Sequence, residues 1–482
     1  MKVVVLGAGI GGLSIACRLS SLGHDVILIE KNNYTGGKAG VVKFNGYTFD
    51  AGPSLFTYPE WLDDVFISCN KNPRDYYTYK KLDLVTRYFF NDKSYFDVFD
   101  DVNKTAKSIE NVANFSSSKF IKLISHWKLV YQLSEETFLS GKIKFNLPFL
   151  KAAMKWFLKL GFFSIFTSMA KYNKKVINND KVELLFNRFA TYTGSSPFKT
   201  PAFMNQLSVV ELCKGAYYPD NGMNSISKGL ENLAVDLGVN IRLNNQVSAI
   251  IKENDSWLIK TSNSQFSADI IVSNIDYCFT RKLMGDKFNL PTSKLSTSGI
   301  VFYWGVSKIF KDLKLHNVFF SDDYQKEFSQ IIDDVVFPDK PTVYVNVSSK
   351  IDSHHAKNNC ENWFVMVNVP ASLELTTEKS VNKLREAVIN LLSDKLNKPI
   401  KEHIECERIL TPNTLNEDTG AYKGSIYGIN QNSLFKIMNR KDNKDKFDKG
   451  LYYVGGTVHP GGGIPLALLS SKNTVNQILK DY

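Results

Sequence analysis

The chain has 482 residues, 43% hydrophobic and 22% charged, which is typical of a globular protein with two or three domains and a sizeable core. Basic residues outnumber acidic residues by 59 to 48, and the resulting net charge of +11 favours a polyanionic partner: nucleic acid, an anionic membrane surface or an acidic substrate. The six cysteines form no CxxC pair and the seven histidines show no HExxH spacing, so neither a disulfide framework nor a dedicated metal site is expected.

The chain opens with a predicted strand–helix–strand unit. Residues 3–6 form a β-branched run, a helical pattern covers residues 13–22, and an apolar strand at residues 26–29 ends at Glu30. Between the first strand and the helix, the glycines have the G-x-G-x-x-G spacing of a dinucleotide-binding turn. The unit therefore predicts a nucleotide site at the helix N-terminus, and a glycine-rich turn that binds nothing is the alternative.

Each conserved position of such a motif would have a physical role here. Gly7 permits the tight turn, Gly9 lets the backbone approach a pyrophosphate, and Gly12 allows close packing of the helix on the strand. Glu30 lies 18 residues after Gly12, where its carboxylate suits a ribose 2′-hydroxyl and would repel the 2′-phosphate of NADP. The motif alone does not decide between FAD and NAD.

A second glycine pair and a hairpin follow. Residues 36–40 read Gly-Gly-Lys-Ala-Gly, and residues 52–54 read Gly-Pro-Ser. Between them, strand-like segments at residues 41–44 and 47–49 flank an Asn-Gly dipeptide at residues 45–46, which is preferred in type I′ hairpin turns.

The middle of the chain is predicted to be helical first and rich in strands later. Residues 61–215 are interpreted as largely helical and are rich in Phe, Tyr and Lys, and a further helix is predicted over residues 378–392. The chain closes with a strand at residues 451–454, a glycine-rich loop and a helix over residues 466–479, and this end should share one discontinuous domain with the opening unit. The other predicted strands lie at residues 239–243, 247–251, 256–261, 270–272, 300–306, 342–347 and 363–369.

A basic and aromatic segment, residues 137–179, contains no acidic residue. Interleaved lysines and aromatic residues suit a helix in the bilayer interface, with the aromatic rings inward and the lysines at anionic headgroups. A core helix with a solvated lysine face is the alternative, and nucleic acid ranks lower because no RNA- or DNA-binding motif accompanies the segment. The apolar run at residues 160–170 is far shorter than the ~20 residues of a spanning helix, so no transmembrane segment is expected.

The glycine-rich segments, in this order, resemble the flavoprotein superfamily that includes amine oxidases, Rab GDP-dissociation inhibitors and carotenoid desaturases. Residues 450–465, GLYYVGGTVHPGGGIP, are similar to the C-terminal motif of bacterial phytoene desaturases. Residues 188–197, 218–223 and 268–274 also look like that family, so the resemblance runs nearly end to end. The Val-Gly-Gly-Thr-Val wording of residues 454–458 departs from the commoner phytoene desaturase form and is nearer to the branch that acts on hydroxylated carotenoids.

The resemblance implies FAD as the cofactor. Glycines 461–463 would let the backbone pass close to the flavin ring, and Pro465 would stand in the first turn of the last helix, whose positive end favours the reduced flavin. His459 is interpreted as a structural residue of this loop. The predicted FAD-binding residues are Gly7, Gly9, Gly11, Gly12, Glu30, Lys31, Gly37, Lys38, Ala39, Pro53, Ser54, Val247, Gly455, Gly456, Gly463, Ile464 and Pro465.

The expected fold class is α/β: a Rossmann-type FAD-binding domain with a mixed-sheet substrate domain and a helical, membrane-contacting subdomain. The FAD-binding domain would comprise residues 1–70, 216–285 and 421–482. The helical subdomain would comprise residues 71–215, and the substrate sheet residues 286–420.

The resemblance implies an FAD-dependent carotenoid desaturase, which introduces C=C bonds into a long acyclic or partly acyclic polyene by hydride transfer to flavin. No catalytic side chain is assigned, because the polyene delocalises the cation and water or a weak base suffices. A quinone or oxygen would reoxidise the flavin, and the protein would lie in the cytoplasm on the inner face of the cell membrane. The alternatives are a carotenoid or retinoid isomerase, saturase or oxygenase on this scaffold, and a lipid carrier like the GDP-dissociation inhibitors, without flavin chemistry.

Overall fold

The computed structural model describes residues 1–135, 166–287 and 289–482. Its α-helices in these ranges are α1 (Ile10–Ser21), α2 (Pro59–Ser68), α3 (Val102–Ala113), α4 (Ser117–Ser134), α5 (Met169–Val176), α6 (Asp180–Arg188), α7 (Ser208–Leu212), α8 (Asn224–Asp236), α9 (Tyr277–Leu283), α10 (Tyr324–Ser329), α11 (Glu378–Leu396), α12 (Pro412–Thr419), α13 (Leu434–Met438) and α14 (Ile464–Asp481). The strands are β1 (Lys2–Leu6), β2 (Asp25–Ile29), β3 (Val41–Phe44), β4 (Tyr47–Asp50), β5 (Tyr79–Lys81), β6 (Leu84–Phe89), β7 (Tyr95–Phe99), β8 (Tyr217–Pro219), β9 (Asn240–Arg242), β10 (Val247–Glu253), β11 (Ser256–Thr261), β12 (Gln265–Ala268), β13 (Ile270–Ser273), β14 (Ser298–Val306), β15 (His316–Phe319), β16 (Val343–Asn346), β17 (Glu361–Val369), β18 (Ile404–Leu410) and β19 (Leu451–Tyr453).

A five-stranded parallel sheet in the order β19-β13-β1-β2-β9 contains both ends of the chain. Val4 of the central strand pairs with Ile271 on one side and Ile27 on the other, and these apolar residues are buried. They pack against a three-stranded sheet in the order β10-β11-β12, while helices cover the opposite face. The first and last helices meet through a hydrogen bond of 2.8 Å that Ser14 donates to Ser471. The predicted βαβ opening is confirmed, and the closing strand β19 pairs with β13 in the same sheet.

A seven-stranded mixed sheet, in the order β18-β14-β17-β16-β15-β6-β7, forms the second layer. Along β17 the side chains alternate, so Trp363 and Val365 pack in the core beneath α11 while Phe364 and Met366 face a cavity. Helix α11 begins after Thr377, whose hydroxyl caps its first turn. The sheet therefore has one face filled by a helix and one face turned to the site.

The helical interpretation of residues 61–215 was wrong for three strands, β5, β6 and β7. Strands β6 and β7 form a hairpin closed by a hydrogen bond of 2.9 Å from the Phe90 amide to the Ser94 carbonyl, and β6 joins the seven-stranded sheet by parallel pairing with β15. Their abundant Phe and Tyr residues were interpreted as helical, although aromatic residues favour strands as well. The proposed domain boundaries stay a prediction.

Most of the predicted membrane-contacting segment, residues 137–165, lies outside the described residues. In its remainder, Lys171, Lys174 and Lys175 are exposed on α5, whereas Tyr172 packs against Trp127 with their ring centroids 5.6 Å apart. Over the described ranges, no helix combines the length and the apolar character that crossing a membrane requires.

Candidate flavin site and adjoining cavity

The first glycine turn has the geometry that its spacing predicts. Gly7 has φ +91°, and its amide donates to the Ile29 carbonyl at 2.7 Å. A Cβ built at Gly12 would overlap the Gly7 carbonyl oxygen, which confirms the predicted role of Gly12 in helix–strand packing. Gly9 caps α1, and no acidic side chain stands in the first turn of this helix, so its positive end is open to an anion.

Asn274, directly after β13, is at the centre of the glycine segments, although no site role was predicted for it. Its side-chain amide donates to the Gly7 carbonyl at 3.3 Å. A Cβ at Gly9 or Gly11 would lie 2.7 Å from this amide group, and one at Gly455 would lie 2.6 Å from it. These glycines thus make room for a side chain of the protein. A polar residue at the carboxyl end of a buried parallel strand is the signal that would have identified it.

The second glycine segment lies directly against the first. The Gly36 amide donates to the Ala8 carbonyl at 2.7 Å, and a Cβ at Gly37 would lie 3.4 Å from the Gly9 Cα atom. Ala39 is buried, and its carbonyl accepts hydrogen bonds of 3.0 and 3.1 Å from side chains of α8. The two glycine segments lie about thirty residues apart in the sequence, and in the structure they form one continuous surface.

The acid at the end of β2 also reaches the glycine turn. Glu30 is 7% exposed, and its carboxylate accepts the Ala8 amide at 2.8 Å. Lys31, in contrast, donates its ammonium to a backbone carbonyl of α12, and burial lowers its pKa. Val247 is buried at the start of β10, in the core between the five-stranded and three-stranded sheets. The structure therefore brings Glu30, but neither the Lys31 ammonium nor the Val247 side chain, into contact with the glycine turn.

The C-terminal glycine loop closes the same surface. The Gly455 amide donates to the Ser470 hydroxyl at 3.1 Å, and a Cβ at Gly456 would lie 3.3 Å from a glycine Cα atom farther along the loop. Gly463, with φ +99°, caps α14, and Pro465 stands in its first turn as predicted. Lys38 is half-buried, and its ammonium donates to the Ile426 carbonyl at 2.7 Å. Burial lowers the pKa of Lys38.

A cavity of about 430 Å³ adjoins this loop. The turn at residues 52–54, which includes Pro53 and Ser54, lines it together with residues 459–466, so the N-terminus of α14, with Ile464 in its first turn, opens into the cavity. The backbone carbonyl of His459 accepts the Ser470 hydroxyl at 3.0 Å, in agreement with a structural role for this residue. Much of the remaining lining is apolar or aromatic, as in Leu55, Trp61, Phe203, Met204, Val210 and Phe364.

Arg440 places a buried positive charge beside the cavity and the C-terminal loop. Its guanidinium donates to the Val458 carbonyl at 2.9 Å, to the Tyr427 carbonyl at 3.1 Å and to the Gly456 carbonyl. Burial lowers the pKa of Arg440 to about 10, and the negative charge of Asp276 opposes this shift; the hydrogen-bond partners of the guanidinium are neutral carbonyls. Arg440 and the N-termini of α1 and α14 favour an anionic group, which fits the diphosphate and the reduced ring of FAD.

A largely buried ionic network, which we call the polar wall, reaches another part of the cavity through Arg188 and Tyr192. It consists of Arg188, Glu211, Tyr88 and Tyr192. The Arg188 guanidinium lies 3.0 Å from the Glu211 carboxylate and donates to the Tyr88 hydroxyl at 2.7 Å, while both tyrosine hydroxyls donate to Glu211. Burial alone would raise the pKa of Glu211, but Arg188 and the two hydroxyls outweigh it and hold this pKa below its usual value. No role was predicted for these residues.

The comparisons with known proteins agree with this geometry. The family model of the flavin containing amine oxidoreductases matches residues 10–479. The chain is 36% identical, over 99% of both proteins, to a 1-hydroxycarotenoid 3,4-desaturase of Flavobacterium sp. (strain P99-3). It is 31% identical to a 4,4'-diapolycopene oxygenase of Methylomonas sp, over 100% of this chain and 98% of that protein. A solved oxidoreductase from Methanosarcina mazei has the same fold, with a TM-score of 0.63 and 17% identity over 99% of this chain and 100% of that one. The chain therefore belongs to the flavin-containing amine oxidoreductase family and is an FAD-dependent oxidoreductase.

Proposed function

We propose that this flavoenzyme is a carotenoid desaturase and that its substrate is a long polyene with a hydroxylated end. The observation that carries the proposal is the largely apolar cavity of about 430 Å³ beside the C-terminal glycine loop. A pocket of this character suits part of a hydrocarbon chain better than a charged amine. The full-length similarity to a 1-hydroxycarotenoid 3,4-desaturase, at 36% identity, supports the hydroxylated substrate class.

We assign the predicted cofactor residues to parts of FAD. Gly9, Gly11 and Gly37 would hold the diphosphate, Glu30 the adenosine ribose, and the C-terminal loop the ring. When bound, FAD supplies the hydride acceptor. The chain itself would exclude water from the cavity, hold the polyene in an apolar channel and present the positive end of α14 to the ring.

The experiment identifies the product that the purified, FAD-loaded protein forms from a carotenoid. A hydroxylated carotenoid in liposomes should lose two hydrogen atoms, seen by mass spectrometry, and should absorb at longer wavelength. A Gly12→Val variant is the control, because it should contain no FAD. Absence of product from every hydroxylated and non-hydroxylated carotenoid, with full FAD content, would reject desaturation.

Oxygenation of a polyene is the second candidate. It is favoured by the 31% identity to a 4,4'-diapolycopene oxygenase over the whole chain. The same assay under ¹⁸O₂ separates the two reactions, since an oxygenase product gains labelled oxygen and a desaturase product does not.

We also propose that the protein contacts an anionic membrane surface peripherally, on the cytoplasmic side, and that a quinone or oxygen reoxidises the flavin. The net charge of +11 and the acid-free segment 137–179 support the membrane contact.

Each lysine near an anionic surface contributes ~1 kcal/mol, so replacing Lys151, Lys155 and Lys159 by Gln should weaken binding to anionic liposomes while sparing neutral ones. Replacing Trp156, Phe162 and Phe163 by Ser should weaken both, because salt and lipid charge do not govern insertion. Full binding by both variants would place the contact elsewhere.

A further inference from the structure

Several cavity-lining residues carry a polar atom that has no hydrogen-bond partner among the residues that the structure describes; they include His316 at Nε2, Tyr324 at its hydroxyl and Gln206 at Oε1. The His316 and Tyr324 side chains are buried, with 1% and 6% of their surface exposed. Buried polar groups in folded proteins are nearly always hydrogen-bonded, because desolvation without a partner is unfavourable. Because both residues line a ligand-sized cavity, a bound ligand can supply the missing partner.

The rest of the His316 ring is held in place by the protein. Its Nδ1 atom lies 2.7 Å from the Tyr344 hydroxyl and 3.2 Å from the Asn346 side-chain nitrogen. Burial lowers the pKa of His316 to about 4, so the ring is neutral at physiological pH. A neutral, oriented imidazole suits a neutral hydrogen-bonding group, since it lacks the positive charge that would favour a carboxylate or phosphate.

His316 and Tyr324 line the cavity near the polar wall, and they are connected to its flavin side. Strand β15, which carries His316, pairs with β6, which carries Tyr88. Directly after β15, the ring of Phe320 lies 5.8 Å from that of Tyr324 and 6.0 Å from that of Tyr88. The Tyr344 hydroxyl that holds His316 also lies 2.7 Å from the hydroxyl of Ser54. Ser54 belongs to the turn that packs on the second glycine segment, where a Cβ at Gly52 would overlap the Lys38 carbonyl. A group bound by His316 would therefore be close to the predicted ring site.

We propose that His316 and Tyr324 bind the hydroxyl group at the end of the polyene and thereby select hydroxylated substrates. A hydroxyl both donates and accepts, so it can satisfy an imidazole nitrogen and a phenol together. A non-hydroxylated polyene leaves both protein groups unpaired in an apolar cavity, and such sites discriminate strongly against the analogue that lacks the hydroxyl. This inference rests on the proposed function, because it takes a polyene as the occupant of the cavity.

The test compares two polyenes of equal length, one hydroxylated and one not, with FAD-loaded enzyme. Tyr324→Phe and His316→Phe should each lower the ratio of their kcat/KM values, hydroxylated over non-hydroxylated, at least tenfold. His316→Gln keeps a polar group at this position and should recover part of the ratio. Tyr131→Phe is the matched control, because the Tyr131 hydroxyl lines the same cavity but already accepts the Tyr58 hydroxyl at 2.6 Å. An equal loss for both polyenes, or an unchanged ratio in the His316 and Tyr324 variants, overturns the inference.

A binding measurement separates this inference from the desaturase proposal. If the wild-type enzyme desaturates neither polyene, the dissociation constants of the two are measured from the shift of polyene absorbance on the FAD-loaded protein. A preference for the hydroxylated polyene that Tyr324→Phe removes would support the hydroxyl site even though the reaction assignment had failed. Equal affinities in the wild type would overturn it.

Discussion

The C-terminal glycine loop and the polar wall both reach the cavity, the loop through residues 461–463 and the wall through Arg188 and Tyr192. The shapes of the glycine segments and of the polar wall are fixed in different ways. In the glycine segments, the backbone carbonyls and Asn274 occupy the space that a Cβ would need. In the polar wall, Arg188 and Glu211 form a buried ion pair completed by two tyrosine hydroxyls. The shape of the glycine segments depends on the absence of side chains. The shape of the polar wall depends on the presence of all four of its charged and polar side chains.

This difference decides which substitutions each region tolerates. A glycine surface fails when atoms are added, because backbone cannot move aside without disturbing the sheet. A buried ion pair fails when one member is removed, because the remaining charge is left without a partner in a region of low dielectric. We therefore expect added atoms to damage the glycine segments and the removal of one charge to damage the polar wall.

The largest effect is expected for Gly12→Ala. The new Cβ would overlap the Gly7 carbonyl, so α1 must move away from β1 and both the FAD content and the melting temperature should collapse. Gly40→Ala is the matched control in the same glycine-rich region, because Gly40 has a negative φ of −77° and a Cβ there would meet nothing closer than 3.5 Å. Absorbance at flavin wavelengths and thermal unfolding give the answer. Normal flavin content in Gly12→Ala would show that the packing at this turn is not decisive.

The next effect is expected for Glu211→Gln. It leaves the Arg188 charge unpaired and should destabilise the protein by about 3–5 kcal/mol, the usual loss for half of a buried pair. The double variant Arg188→Met with Glu211→Gln removes both charges and should recover much of the loss, because the Gln oxygen still accepts a tyrosine hydroxyl. Denaturant unfolding of the two single variants and the double variant measures the coupling. Strictly additive losses would contradict a paired network.

The glycine region was largely predictable from sequence, and the polar wall was not. Gly7, Gly12 and Pro465 belong to local motifs in which spacing alone dictates the backbone. Arg188 and Glu211 lie 23 residues apart on separate helices, and no periodicity relates them.

The contact between His316 and Tyr344 could not be predicted from the sequence either, because it depends on strand pairing. His316 and Tyr344 meet because β15 pairs with β16 in a register that places Val318 opposite Tyr344. The β6 strand joins β15 from more than 200 residues away in the chain, through the pairing of Arg87 with Asn317. Local composition carries no information about such a partner, so the sheet and its cavity face required the three-dimensional structure.

A smaller, pH-dependent effect is expected at Glu327, a buried acid of helix α10. Burial raises the pKa of Glu327 to about 7 from 4.5, although its carboxylate accepts the amide and the hydroxyl of Thr342 at 2.9 and 2.7 Å. Since the folded-state pKa is raised, the stability that the protonated group contributes is complete below about pH 4.5 and is lost as the pH rises through about 7.

Glu327→Gln removes this titration while keeping an acceptor for the amide. The variant should gain at most about 3 kcal/mol over the wild type between pH 4.5 and pH 8, seen as a rising difference in unfolding free energy. A difference between variant and wild type that does not change with pH would exclude Glu327 as the titrating group.

The smallest effect is expected at the adenosine end of the predicted flavin site, where a charged side chain and the glycine turn meet. The Glu30 carboxylate accepts the Ala8 amide at 2.8 Å and the Asn32 amide at 3.0 Å, so it orders the turn before any nucleotide binds. Glu30→Ala should weaken FAD binding by about 1–3 kcal/mol, the range for hydrogen bonds to a charged group, measured by flavin fluorescence titration of the apoprotein. Glu30→Gln retains one acceptor oxygen and loses the charge, so it should lie between the wild type and Glu30→Ala. Unchanged affinity in both variants would remove Glu30 from the site, whereas loss of FAD beyond this range in Glu30→Ala would mean that its main role is to hold the glycine turn.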